Sequence, residues 1–108
     1  MNKTYSYNGY NIHFERTKYI YGNNALALVM VCDDGSPYAV MTVNLEGYQI
    51  DNEYHSFVDT NNLGEELVDW IIENKIGFDT GIRHQSGYCI YPLIEFNKEF
   101  VNSLNLHM

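Results

Sequence analysis

Apolar and polar residues alternate at the start of the chain. Tyr5 and Tyr7 precede Asn8-Gly9, and a second alternating run follows the glycine. Asn-Gly between two such runs favours a two-residue hairpin turn, because both turn positions need positive φ. The pattern therefore predicts two antiparallel strands, at about 3–8 and 10–20.

A continuous apolar segment, residues 25–32, comes next. Its lack of alternation predicts a central strand that is covered on both faces. Turn-forming residues at 33–37 separate it from a returning strand at 38–45, in which every second residue is apolar. Two further short strands are expected at 48–50 and 54–58.

Helical spacing of apolar residues predicts one main helix, at about residues 63–75. Asn62 can cap its start, and Glu65 stands three positions on, as in a capping box with Asn in place of Ser or Thr. Lys75 in the last turn and Gly77 behind it suit the helix end. The apolar stripe consists of Leu63, Leu67, Val68, Trp70, Ile71 and Ile72.

The end of the chain predicts a last strand pair and a short helix. The strands are expected at 81–83 and 88–95 around a turn at 85–87, and Asn97 can cap the helix. The fold class predicted from these elements is α+β, an antiparallel sheet with the main helix packed on one face and the short C-terminal helix beside it. A chain of this length fits a single domain, residues 1–108.

Composition narrows the setting of the protein. The start of the chain lacks the apolar core of a signal peptide, and no segment has the roughly 18 apolar residues of a membrane span. We therefore predict a cytoplasmic protein. Cys32 and Cys89 lie in apolar segments, which favours buried free thiols over a disulfide.

No familiar catalytic or metal-binding motif occurs, so we predict no catalytic residue, no metal and no cofactor. His84 and Cys89 are five positions apart, which is not a zinc-binding pair. Asp79, His84 and Ser86 could be neighbours in space, but such trios are common in small proteins. A small enzyme that uses His84 or Cys89 is kept as a third hypothesis.

Charge is the most unusual feature of the sequence. The formal net charge is −8, from 14 acidic and 6 basic residues. This balance disfavours direct binding of nucleic acid or of an anionic membrane, and it permits a basic protein partner. The segment 19–74 contains no Lys or Arg and ten acidic residues. A solvated surface that only keeps the protein soluble is the alternative explanation.

The acids of this segment are the predicted binding surface. On the predicted helix, Asp69 and Glu73 are four positions apart, a step of about 6 Å along the axis. Successive phosphates along a nucleic-acid strand have a similar spacing, so the helix can imitate a short phosphate row. Tyr48 and Tyr54 are expected to be exposed aromatic anchors. The predicted contact acids are Asp33, Asp34, Asp51, Glu53, Glu65, Glu66, Asp69 and Glu73.

Several short motifs point to a family. They are Val43-Asn44-Leu45, Asp59-Thr60-Asn61-Asn62, Glu73-Asn74-Lys75-Ile76-Gly77, Thr80-Gly81, Gln85-Ser86-Gly87-Tyr88 and Tyr91-Pro92-Leu93. Over about residues 25–97 the chain resembles small uncharacterised proteins from phages and conjugative elements of low-GC Gram-positive bacteria. The resemblance implies no catalytic residues. It implies a setting, the host cytoplasm, in which small acidic proteins often inhibit host defence.

Two functions follow as hypotheses. The first is an anti-CRISPR inhibitor that binds the basic nucleic-acid cleft of a type II RNA-guided nuclease through the acidic surface. The alternative is a non-enzymatic accessory interaction module of a mobile element, either monomeric or joined as a homodimer through a tyrosine-rich sheet edge. In both, the partner is a protein, and neither nucleic acid nor a membrane is bound directly.

Overall fold

The computed structural model describes residues 3–20 and 25–107. Its strands form two sheets, called sheet A and sheet B here. Sheet A contains β1 (Tyr5–Tyr7), β2 (Tyr10–Lys18), β3 (Leu26–Cys32) and β4 (Pro37–Val40), in that spatial order and antiparallel. Within the described ranges, no helix is long and apolar enough to cross a membrane.

The first hairpin has the predicted turn. Tyr7 pairs with Tyr10 across the two-residue loop, and both loop residues have positive φ, 49° at Asn8 and 81° at Gly9. These angles belong to the type I′ turn that Asn-Gly favours. The predicted strand at 25–32 is also confirmed, since Leu26 to Val31 are buried on both sides of the sheet.

Sheet B has the spatial order β5 (Thr42–Val43), β6 (His55–Val58), β8 (Cys89–Phe96) and β7 (Gly77–Ser86). The strand predicted at 38–45 is divided between the two sheets, because the chain leaves sheet A after β4 and enters sheet B at β5. Met41, fully buried, lies at the change of sheet. The strand predicted at 48–50 is wrong, since these residues form a loop after a turn at 46–47.

The predicted fold class is wrong. The protein is mostly antiparallel sheet, with 49% strand and 16% helix, and it has two sheets rather than one. In place of a main helix, the described residues form three short ones, α1 (Thr60–Leu63), α2 (Leu67–Glu73) and α3 (Lys98–Asn102). No long helix covers a sheet in the described part of the chain. The core is instead closed by both sheets together with α2 and α3.

Gly64 is the reason why the predicted helix 63–75 is interrupted. Its φ of 98° and ψ of 158° end α1, and this region of backbone conformation is essentially reserved for glycine. The helix start is also earlier than predicted, because Asp59 rather than Asn62 is the cap and accepts a hydrogen bond from the Asn62 backbone N–H. Glu65 lies between the two helices and forms no capping box.

One large apolar core joins the two sheets. Phe14 and Met30 enter it from sheet A, Ile94 and Phe96 from sheet B, and Ile71 from α2, all of them almost completely buried. A smaller cluster lies on the opposite face of sheet B. It consists of Leu45, Phe57 and Leu93 and is flanked by Tyr48 and Tyr91.

Buried hydroxyl groups connect the sheets where β4 ends. The Thr42 hydroxyl accepts a hydrogen bond from the Leu28 backbone N–H, 3.2 Å, and shares another with the Tyr19 hydroxyl, 2.9 Å. Ser56 donates to the Leu26 carbonyl oxygen, 2.7 Å. These bonds satisfy backbone groups of β3 that would otherwise be buried without a partner.

The last strand pair is longer than predicted. β7 already begins at Gly77, and the ladder is irregular between Asp79 and Arg83, where three residues bulge out. Arg83 holds this bulge through two hydrogen bonds to the Asp79 carboxylate, 2.9 and 2.7 Å. The turn is Gly87-Tyr88 rather than 85–87, since Ser86 pairs with Cys89.

The predicted C-terminal helix is confirmed as α3, with Asn97 as its cap. After it, β9 (Asn105–Leu106) pairs in parallel with β2, which the sequence analysis missed. The Glu15 carboxylate binds His107 Nδ1 at 2.8 Å and thereby ties the chain end to β2. Both cysteines are free, as predicted, but they are half-buried rather than buried.

Candidate functional site

Three of the predicted contact acids share one groove. Glu66, the N-cap residue of α2, and Asp69 and Glu73 within it follow helical spacing, so they lie on one side of the helix, while Leu67 and Ile71 are buried on the other. Facing them across a groove of about 400 Å³ are residues 6–8 of the first hairpin. This space between α2 and the β1–β2 hairpin is called the acidic groove below.

Trp70 joins the two walls of the acidic groove. Its indole Nε1 donates a hydrogen bond to the Ser6 carbonyl oxygen at 3.0 Å. Its ring lies edge-on against Tyr7, with 4.9 Å between the ring centroids, and against Tyr5 at 6.1 Å. Because the indole is held by both polar and aromatic contacts, the distance between α2 and the hairpin is well defined.

Tyr7 forms a second link, between the hairpin and the end of α1. Its hydroxyl donates to the Leu63 carbonyl oxygen, 3.0 Å, at the end of α1. Burial raises the pKa of Tyr7, and the nearby Tyr38 and Glu66 raise it further. Of the three acids of the groove, Glu66 is thus close enough to Tyr7 to affect its pKa.

Asp33 and Asp34 lie outside the acidic groove, on the turn between β3 and β4. Ile12 pairs with Cys32, so this turn lies at the same end of sheet A as the first hairpin turn. Hydrogen bonds from Ser36, the first from its hydroxyl, lower the pKa of the Asp34 carboxyl. Asp34 is therefore engaged in holding its own turn.

Asp51 and Glu53 are placed elsewhere, in the loop before β6. They border an open depression together with Tyr54 and Lys98. The Lys98 ammonium group lies over the Tyr54 ring, 5.6 Å from its centroid, and the Tyr54 hydroxyl is hydrogen-bonded to Asn102. This part of the surface is thus of mixed charge.

The two predicted anchors are not free aromatic groups. Tyr54 is half-buried against the large core, and Tyr48 is half-buried against Phe57, 5.1 Å between centroids. Glu65 faces a third depression, beside Tyr88 and Ile90 of the β7–β8 hairpin. The structure therefore distributes the predicted surface over several sites, and of the eight predicted acids Glu66, Asp69 and Glu73 line the acidic groove.

The acids are nevertheless unpaired. All eight predicted contact acids are exposed, and no ion pair joins any of them to a Lys or Arg in the described part of the chain. Arg83 instead binds Asp79, and the Arg16 guanidinium donates to the Leu104 carbonyl oxygen. Lys3 lies over the Tyr5 ring, 5.2 Å from its centroid, and in the described residues no ion pair joins a Lys or Arg to Glu66, Asp69 or Glu73.

The residues considered for catalysis do not form a triad. Asp79 is bound by Arg83, whose hydrogen bonds lower the pKa of the Asp79 carboxyl. His84 Nε2 lies 3.3 Å from the Glu46 carbonyl oxygen, and its ring packs near Tyr48. Among residues 3–20 and 25–107, no three His, Cys, Asp or Glu side chains are placed to hold a metal ion.

Sequence reasoning missed the second wall of the acidic groove. Ser6 and Trp70 are 64 positions apart, and no local pattern relates them. The available signal was the residue type of Tyr5, Tyr7 and Trp70, since large aromatic side chains with a polar group need both packing and a hydrogen-bond partner.

Comparison with known proteins adds one finding. Residues 14–106 match the model of a family described as a domain of unknown function, DUF4313. The match extends beyond the 25–97 covered by the short motifs and includes β2 from Phe14 onward and all of α3. No curated protein and no solved structure matches the chain.

Proposed function

The chain belongs to the DUF4313 family, a domain of unknown function, and from this premise we propose that it works by binding a basic protein through the acidic groove. The observation that carries the proposal is the placement of Glu66, Asp69 and Glu73 on one wall of that groove without a Lys or Arg partner. A cationic segment of a partner would satisfy all three carboxylates at once.

The net charge supports fast association with such a partner. At −8 the whole molecule attracts a basic surface, and the groove then selects the docking position. Because the groove is open to solvent, binding should weaken as salt screens the charges.

The specific partner that we propose is a host-defence nuclease, with a type II RNA-guided nuclease as the first candidate. Such enzymes hold nucleic acid in a positively charged channel. The row of carboxylates on α2 is shorter than the sequence predicted, because α2 has only 7 residues. Two or three charges would still compete for the Lys and Arg groups that contact phosphates. We also propose that the protein belongs to a phage or a mobile element, the setting in which such an inhibitor would act.

Trp70 provides a direct test of the groove. It is the single tryptophan of the chain and lies in the groove, so its fluorescence reports on what binds there. Titration with an arginine-rich peptide should change the emission, and added salt should reverse the change. The variant E66Q/D69N/E73Q should lose the response.

The matched control is D33N/D51N/E53Q, which removes three negative charges outside the groove and should keep the response. If E66Q/D69N/E73Q and D33N/D51N/E53Q bind the arginine-rich peptide equally, the position of the charges does not matter, and the groove proposal is contradicted. For the nuclease, the same proteins are added to a plasmid-cleavage assay. Full cleavage by a panel of type II enzymes with excess wild-type protein would refute that partner and leave the groove result standing.

A further inference from the structure

Strand β7 is an unusually long free edge. It is one of the two outer strands of sheet B and spans 10 residues, whereas the outer strands β4 and β5 span 4 and 2. No described strand pairs with its outer side. A free edge exposes unpaired backbone N–H and C=O groups and is a template for another strand. The bulge between Asp79 and Arg83 leaves residues 83–86 as the regular segment.

The hairpin turn indicates which backbone groups of this segment face outwards. Gly87 has a φ of 61° and Tyr88 does not have positive φ, as in a type II′ turn. The closing pair, Ser86 and Cys89, is then hydrogen-bonded, and bonding alternates along the ladder. The N–H and C=O groups of Gln85 and Arg83 therefore point away from β8. Arg83 faces Pro92, which has no N–H to offer, in agreement with this alternation.

Charge makes this edge different from the rest of the surface. From Gly77 to Ile94 the charged residues are Asp79 and Arg83, which neutralise each other at 2.7 Å. In a molecule of net charge −8, strand β7 itself therefore brings no net charge to a contact between two copies of the chain. Ile82 is 40% exposed and Tyr88 is fully exposed beside the regular segment, so apolar area is available for contact.

We propose that a second copy of this chain docks on β7, with the two β7 strands antiparallel and a two-fold axis at His84. Arg83 of each copy then pairs with Gln85 of the other. The outward-facing N–H and C=O groups of these two residues are thereby hydrogen-bonded in both copies. This arrangement is self-complementary, as a two-fold interface requires, and it joins two copies of sheet B into one continuous sheet. The acidic groove is a separate surface formed by α2 and sheet A.

Light scattering during size exclusion tests the proposal on the unmodified chain. The mass should rise from 12.6 kDa towards twice that value as the concentration rises from micromolar to millimolar, because a short ladder forms a small and therefore weak interface. Amide hydrogen exchange should slow at Arg83 and Gln85 over the same range, with no change at His84, whose N–H faces β8. A mass of 12.6 kDa at every concentration would overturn the proposal. The free edge of β7 would then be available only to a strand of another protein.

The variant Gln85→Pro removes one outward N–H and should abolish the dimer while preserving the fold, since proline is tolerated on the free side of an edge strand. Gln49→Pro, in an exposed loop, is the control and should still dimerise. A folded Q85P protein that remains dimeric would overturn the proposal. If Q85P does not fold, concentration-independent exchange at Arg83 and Gln85 of the unmodified chain would overturn it instead.

Discussion

Lys75 occupies a position that usually belongs to glycine. Its φ is 59°, and it ends α2 in a Schellman motif, with Ile76 N–H bonded to the Ile71 carbonyl and Lys75 N–H bonded to the Ile72 carbonyl, both at 3.0 Å. Ile71 and Ile76 are both fully buried and form the apolar contact of this motif. The buried contact between Ile71 and Ile76 therefore offsets the energetic cost of the left-handed conformation at Lys75.

We expect Lys75→Gly to stabilise the protein. The left-handed conformation costs an L-residue about 1–2 kcal/mol, and the greater freedom of glycine in the unfolded chain offsets about 0.4–1 kcal/mol of that. A net gain of about 0.5–1 kcal/mol in the free energy of unfolding should appear in urea titrations. Lys75→Ala is the control, since it removes the charge and keeps the strain. An equal gain from Lys75→Ala would assign the effect to charge.

At the scale of elements, Gly64 separates α1 from α2. Alanine is the better helix former by about 1 kcal/mol, so the periodicity of the sequence would favour one continuous helix after Gly64→Ala. The ψ of 158° at this position, however, lies in a region that alanine avoids. We expect Gly64→Ala to lower the free energy of unfolding by about 1–3 kcal/mol.

Thermal and urea unfolding of Gly64→Ala would measure this loss. Asn61→Ala, in the exposed part of α1, is the control and should change stability by less than about 0.5 kcal/mol. A Gly64→Ala protein with a higher free energy of unfolding would contradict this prediction. It would mean that α1 and α2 can join into one continuous helix without loss of stability.

The bulge of β7 depends on an ion pair that acid should weaken. Hydrogen bonds from Arg83 lower the pKa of Asp79 in the folded protein. The stabilisation from this carboxylate is therefore complete above the unfolded-state pKa of about 3.9, and it disappears as the pH falls through the lower folded-state value. Below both values, Asp79 is protonated in the folded and unfolded chain alike.

We expect Asp79→Asn to be less stable than the unmodified chain at neutral pH by at most about 1 kcal/mol, since the pair is partly exposed. The difference should shrink as the pH falls from about 5 to about 2, in urea titrations at a series of pH values. Arg83→Gln should behave in the same way because it removes the main cause of the shift. A difference that does not depend on pH would show that the carboxylate has no special role in the bulge.

At the scale of the whole molecule, two sheets share one core, and buried hydroxyl groups connect their backbones. Thr42 is 3% exposed and bonds to Leu28 of the other sheet and to Tyr19, which follows β2. Thr42→Val preserves the shape and leaves the Leu28 N–H without a partner. We expect it to lower the free energy of unfolding by about 1–3 kcal/mol, measured in urea.

Tyr19→Phe is the matched variant, since it removes the second hydrogen bond of Thr42 and leaves the bond to Leu28. Its cost should be smaller, about 1 kcal/mol. Unchanged stability in Thr42→Val would mean that apolar packing alone joins the two sheets.

The sequence by itself determined the elements whose signals lie in a few neighbouring residues. Asn8-Gly9 was sufficient for the first hairpin turn, the apolar run before Cys32 for the buried strand, and Asn97 for the last helix, because φ preferences, burial and capping act locally. It also determined the excess of negative charge. The helix at 63–75 failed because apolar periodicity outweighed the single residue, Gly64, that interrupts it.

Only the tertiary structure decided which of the acids lie together. Glu66, Asp69 and Glu73 share the acidic groove because Trp70 docks on a hairpin 64 positions away. Asp51 and Asp33 lie on other surfaces. The change of sheet at Met41 and the free edge of β7 are likewise results of packing. Contacts between distant segments depend on how all the apolar faces are buried together, and no local stretch of sequence records that arrangement.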